Sequence, residues 1–267
     1  MPKTAKAYSS KSFLSSTAAR PLRILSEYIE PKARFDHYKV EDTIVFYGSA
    51  RAVSPEQAEA DLTAAREAGE DTARAEAAKE LARYYEATRE LSYRLTEWSK
   101  SLGEGERRFV ICSGGGPGIM EAANQGASEA KGLNVGLNIS LPMEESYNPH
   151  ITRELQFEFH YFFMRKFWFA YLAKAIVAMP GGFGTLDELF EILTLVQTGK
   201  IRKHMPIVLF GADYWAQVVD FDALARFGTI NAEDIDLCFR TDSVDEAFDY
   251  LTEQLGTYAM DQPGATL

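Results

Sequence analysis

The stretch AIVAMPGGFGTLDELFE, residues 175–191, decides the fold. Ala175, Ile176, Val177, Ala178 and Met179 form an apolar run that reads as a buried strand. The run stops at Pro180, passes Gly181, Gly182, Gly184 and Thr185, and re-emerges as a helical pattern from Leu186. Strand, glycine turn and helix in that order aim free backbone N–H groups and the positive end of a helix dipole at one spot, which suits a phosphate. Glu188 then falls in the first helical turn. A carboxylate beside an anion site does not hold the anion. It reads either as a capping group or as a reagent acting on the rest of the ligand.

The same grammar recurs along the chain. Thr43–Tyr47 reads as a first strand ending at Gly48-Ser49-Ala50-Arg51. Phe109–Cys112 reads as a second strand, followed by Ser113-Gly114-Gly115-Gly116-Pro117-Gly118 and a helix over 119–130. Leu133–Ile139, Leu155–Phe159, Pro206–Phe210 and a segment near Leu237–Arg240 read as further strands. Helices are expected over 163–172, from about Asp213, and over 244–255. Strands alternating with helices predict an α/β, Rossmann-like doubly wound parallel sheet with helices on both faces. Ligands of such sheets bind at the carboxyl ends of the strands, where three glycine-bearing turns fall: 48–51, 113–118 and 180–185.

Residues 1–40 read as an N-terminal tail and one helix around Arg20–Tyr28. The first 26 residues hold five Lys or Arg and no acid, a composition shared by organellar transit peptides and by basic frayed tails. Residues 41–256 read as a single nucleotide-binding domain and 257–267 as a loose tail. Ser54-Pro55-Glu56-Gln57 is a helix-start signal. It opens a helical insertion over 55–103 with a break at Gly69. Leu81, Tyr84, Tyr85, Leu91, Leu95, Trp98 and Leu102 draw one apolar stripe there, which suits docking on the sheet or on a partner.

Composition excludes several classes. The 267 residues carry a net charge of −11, which disfavours a nucleic-acid binder. No apolar run approaches the ~18 residues of a membrane span. Cys112 and Cys238 stand far apart in apolar surroundings and read as buried thiols of a reducing, cytoplasmic compartment. Four His and two Cys show no ligand spacing, so no metal is expected. GGGPG at 114–118 is not the dinucleotide fingerprint, because Ile119 stands where the last glycine belongs. A GxxxxGK[ST] phosphate loop is also missing.

PGGFGTLDE at 180–188 resembles the PGGxGTxxE signature of the Lonely Guy (LOG) family, the cytokinin riboside 5′-monophosphate phosphoribohydrolases. Arg165-Lys166 in FFMRKFWFA occupies the place of that family's Arg-Lys pair. GGGPGIMEAANQGA from Gly114 to Ala127 is similar to its glycine turn and helix. The resemblance covers roughly 42–215. FFMRKFWF replaces the MHERKAEM of the small members, and the chain is similar to the longer bacterial ones.

The resemblance implies hydrolysis of a nucleoside 5′-monophosphate, AMP or a cytokinin precursor, to free base and ribose 5-phosphate. It implies Arg165 and Glu188 as the catalytic pair, no cofactor, and a homodimer packed through the helix of Arg165. A carboxylate at the ribose face suits the oxocarbenium character of N-glycoside cleavage. Expected substrate contacts are Ser49, Arg51, Gly114, Gly115, Gly116, Glu121, Lys166, Gly181, Gly182, Gly184 and Thr185. Molybdenum-cofactor carriers share the fold, so a binding module is the alternative. Proteins with this motif have also been labelled lysine decarboxylases, but no lysine here lies in a recognisable pyridoxal phosphate site.

Overall fold

The computed structural model describes residues 5–103, 107–140 and 148–265. The elements run α1 (Lys11–Leu14), α2 (Arg20–His37), β1 (Thr43–Tyr47), α3 (Pro55–Ala68), α4 (Ala73–Ser101), β2 (Val110–Ser113), α5 (Ile119–Glu129) and β3 (Asn134–Ile139). They continue as β4 (Gln156–Phe159), α6 (Phe162–Leu172), β5 (Ala173–Ala178), α7 (Phe183–Gln197) and β6 (Ile207–Phe210). The last are α8 (Ala212–Val218), α9 (Phe221–Arg226), β7 (Cys238–Thr241) and α10 (Val244–Tyr258).

The strands form one parallel sheet in the order β4-β3-β2-β1-β5-β6-β7. The chain winds outward from β1 to β4, then crosses back to lay β5 on the other side of β1. The direction of winding therefore reverses between β1 and β5, and a crevice opens there at the carboxyl ends.

Alternation along each strand sends side chains to two apolar layers. On one face Val45, Cys112, Leu137, Ile176 and Leu209 meet α2, α6, α7 and α8. On the other, Ile44, Phe46, Ile111, Val177 and Val208 meet α4, α5 and α10. The sheet is buried on both faces, which explains why its strands read as near-continuous apolar runs.

The expected break at Gly69 is the end of α3: Gly69 adopts φ 67°, a left-handed cap. The stripe on α4 docks on the sheet through Tyr84, Leu91 and Leu95. Tyr85 turns instead to α5, where its hydroxyl donates to Gln125.

Three boundaries differ from expectation. The helix expected from Leu186 begins at Phe183, because the Gly182 carbonyl already accepts the Leu186 N–H at 3.0 Å. The helix expected around Arg20–Tyr28 runs on to His37 through Pro31. Its second half is held by ring contacts of Tyr28 and Phe35 with Trp168 and Phe157, which outweigh the proline's lost bond. After Gly256 the chain stays helical to Tyr258, and Arg108 then binds the carbonyls of Ala259 and Met260.

The backbones of α4 and α5 touch where Gly126 lies over Arg89 and Tyr93. A Cβ on Gly126 would run into the Arg89 carbonyl oxygen. Gly126→Ala should therefore lower stability by about 1–3 kcal/mol through overpacking. Chemical denaturation checks this; an unchanged midpoint would show that the two helices part freely.

Candidate functional site

The crevice opens into a cavity of about 790 Å³ above the carboxyl ends of the strands. Its walls come from the three turns marked in the sequence. Ser49 and Arg51 line it from the first, Gly114 and Gly116 from the second, and Gly181, Gly182, Gly184 and Thr185 from the third. Arg165 of α6 and Glu188 of α7 complete the set.

Backbone bonds hold the turns together. The Ser49 N–H donates to the Pro180 carbonyl at 3.0 Å, and the Ile119 N–H donates to the Ser49 carbonyl at 3.0 Å. Gly118, at φ 72°, allows this approach: a side chain there would strike the Ser49 carbonyl. Tyr214 donates its hydroxyl to the Gly181 carbonyl at 2.7 Å and fixes the third turn from α8. The N-terminus of α7 carries no side-chain cap, and Gly182, Phe183, Gly184 and Thr185 all border the cavity. Its first N–H groups thus face an anion-sized space.

The second turn stands on a buried amide network. Ser113 accepts the Gly115 N–H at 3.0 Å and donates to Asn124 at 2.6 Å. Asn124 in turn bonds Asn134, and Asn148 donates to it at 3.0 Å. Asn138 of β3 lines the cavity and donates to the Gly115 carbonyl at 3.3 Å. Sequence reasoning missed these residues, since isolated asparagines carry no spacing signal.

Arg165 and Glu188 meet at 2.9 Å, with side chains only 12% and 13% exposed. The Arg165 guanidinium also lies near the rings of Phe162 and Phe169, and its Nε is buried with no partner among the described residues. Burial pushes the Glu188 carboxyl from 4.5 up to about 7, although Arg165 pulls the other way. Near neutrality this carboxyl is poised between its two forms, as a proton-transferring group should be. Because α7 begins at Phe183, Glu188 lies in the second turn, not the first. It does not cap the helix.

Three expected contacts lie outside the cavity. Lys166 pairs with Asp187 at 2.7 Å and Glu191 at 3.1 Å, and so staples α6 to α7. Gly115 is turned against Asn138. Glu121 is half-buried on α5, on the side of Tyr85. Leu81, read in the sequence only as part of a docking stripe, joins Phe162, Phe183 and Val218 in an apolar rim. Among the described residues no three His, Cys, Asp or Glu cluster to hold a metal, and no helix is long and apolar enough to cross a membrane.

A family described as "Possible lysine decarboxylase" matches residues 120–251. The chain is 32% identical over 120 residues to the cytokinin riboside 5′-monophosphate phosphoribohydrolase LOG7 of Arabidopsis thaliana, covering 43% of this chain and 53% of that protein. It is 30% identical over 155 residues to the probable phosphoribohydrolase LOG4 of Oryza sativa subsp. japonica, covering 55% and 64%. The chain thus spans a little over half of each of these curated relatives. A solved molybdenum-cofactor carrier protein of Chlamydomonas reinhardtii superposes with a TM-score of 0.45 at 19% identity, over 81% of this chain and 99% of that one. The sequence matches make the chain a homologue of LOG-family phosphoribohydrolases.

The poised carboxyl gives a pH signature. The native protein keeps a proton on Glu188 in a window where the unfolded chain has released it. Glu188's contribution to stability is therefore fully present below about 4.5 and is lost as pH rises through about 7. Glu188→Gln should flatten this fall, on the order of 3 kcal/mol across the window. Denaturant melts of both proteins from acid to weakly alkaline pH check it; parallel stability curves would contradict it.

Proposed function

We propose that this chain hydrolyses the N-glycosidic bond of nucleoside 5′-monophosphates, AMP or a cytokinin riboside monophosphate, to free base and ribose 5-phosphate. The observation that carries the reading is the nearly buried Arg165–Glu188 pair in the same cavity as the uncapped N-terminus of α7. Homology to phosphoribohydrolases supports it.

In this reading the N–H groups of α7, the Thr185 hydroxyl and the glycine turns at 114–116 and 181–184 hold the 5′-phosphate. Ser49 and Arg51 reach the ligand from the first turn. The ribose then lies over Glu188. As the C1′–N bond lengthens, the base leaves with the bonding electrons and takes up a proton from solvent, to which Glu188 afterwards returns the one it receives from water. The sugar acquires positive charge, and the Glu188 carboxylate stabilises it. A water attacks C1′ and passes its proton to Glu188. Arg165 holds the phosphate or a ribose hydroxyl, or steadies the departing base, and favours the ionised form of Glu188 against its burial. Lys166 balances charge behind the pair. Every step uses groups of this chain, without metal or cofactor. No lysine lines the cavity among the described residues, which disfavours pyridoxal phosphate chemistry there.

The reading extends to a Rossmann-like domain over 41–256 in a cytoplasmic homodimer that engages neither nucleic acid nor membrane. Phe162 and Phe163 lie exposed on α6, where a second copy would cover them.

A chromatographic assay for free base tests the reading. AMP should yield adenine and ribose 5-phosphate, and adenosine should yield neither. Glu188→Gln and Arg165→Ala should each lower the rate by at least ~10²-fold while remaining folded. The wild-type rate should rise with pH around a midpoint near 7, as Glu188 ionises. Binding of AMP without release of base would leave a carrier function in its place.

A further inference from the structure

The helix that carries Arg165 lacks a cap of its own. Tyr161, the residue before α6, offers no side-chain bond to the helix start. The bonds come from α2, far away in sequence. One carboxylate oxygen of Glu27 accepts the His160 N–H at 2.9 Å, and the other accepts the Tyr161 N–H at 3.3 Å. An anion thus sits at the positive end of α6. The backbone carbonyl of the same Glu27 accepts the indole N–H of buried Trp168 at 2.9 Å, about two turns further along α6. Tyr28 stacks on Trp168 and packs against Phe167. Helix α2 therefore grips α6 at two places, and Arg165 lies between them.

Arg165 has little tolerance for movement of its helix. It is held by one oxygen of Glu188 and by two neighbouring rings, and its Nε is unpartnered. A shift of about 0.5 Å is enough to spoil such a constellation.

We infer that α2 belongs to the catalytic apparatus and that Glu27 is a positioning residue, which sets the register of α6 so that Arg165 reaches Glu188. The inference rests on the reading of Arg165 and Glu188 as the working pair.

The test reads the Glu188 carboxyl directly. Carbon-13 NMR of protein labelled at glutamate carboxyls follows its titration, with the signal assigned by its loss in Glu188→Gln. Arg165 and Lys166 on α6 lower the midpoint, Asp187 and Glu191 on α7 raise it, and Tyr47 of β1 and Cys112 of β2 lie against the same carboxyl. Glu27→Ala should displace Arg165 and move the midpoint upward by roughly half a unit, part of the ~1–3 units an opposite charge in contact supplies. Glu27→Asp should return it towards the wild-type position. The acid limb of base release should move with it, and kcat should fall by about tenfold.

General destabilisation would lower the amplitude of activity without moving either midpoint. An unchanged Glu188 midpoint in folded Glu27→Ala overturns the inference, whatever the activity. Should Glu27→Ala not fold, Glu27→Gln keeps the shape while removing the charge and one of the two accepted N–H bonds, and the same criterion applies to it. Absence of base release from the wild type overturns the hydrolase reading alone, because the titration does not depend on turnover.

Discussion

The bond from the Ser49 N–H to the Pro180 carbonyl is the constraint on which the site depends. It lies just past the ends of β1 and β5, where the winding of the sheet reverses. The helices that follow the two strands depart to opposite faces, so nothing fills the space above. It continues the β1–β5 pairing past the bond from the Met179 N–H to the Tyr47 carbonyl and ties the two turns into the floor of the cavity. With it, the start of α7 and the Gly114–Gly116 turn converge on one volume. Gly118 and Tyr214 serve the same end from two further elements.

Electrostatics in the crevice follows from this packing. A chain of net charge −11 has no general attraction for an anion. Any such attraction is local, from backbone N–H groups and from Arg51 and Arg165. The price of placing a carboxyl beside these groups shows in Glu188, whose burial outweighs its ion pair. Lys166 sits behind the pair, tied to Asp187 and Glu191, and joins the two helices whose spacing sets the Arg165–Glu188 contact.

Much of this was legible in the sequence because the signals were local. An apolar run followed by glycine marks a strand and its turn, and all three turns at the cavity carry that mark. The start of α7 was misplaced for a physical reason. Gly184 is a poor residue inside a helix but tolerable in a first turn, where its N–H needs no helical partner. Helix α2 was cut short at Tyr28 because Pro31 is a local stop signal, whereas the contacts that override it come from Phe157 and Trp168, more than a hundred residues away. The asparagine network under Gly115 and the grip of Glu27 on α6 are likewise tertiary. No periodicity encodes them.

Helix α4 contributes Leu81 to the rim of the cavity and Tyr84 to the layer beneath Gly211 and Pro180. The Arg165–Glu188 ion pair stands on α6 and α7, on the opposite face of the sheet. Leu81 therefore borders the cavity from across the sheet, whereas Phe162, Phe183 and Val218 border it from α6, α7 and α8. A change of sequence in the α3–α4 hairpin alters the cavity wall at Leu81, on a different element from Arg165 and Glu188.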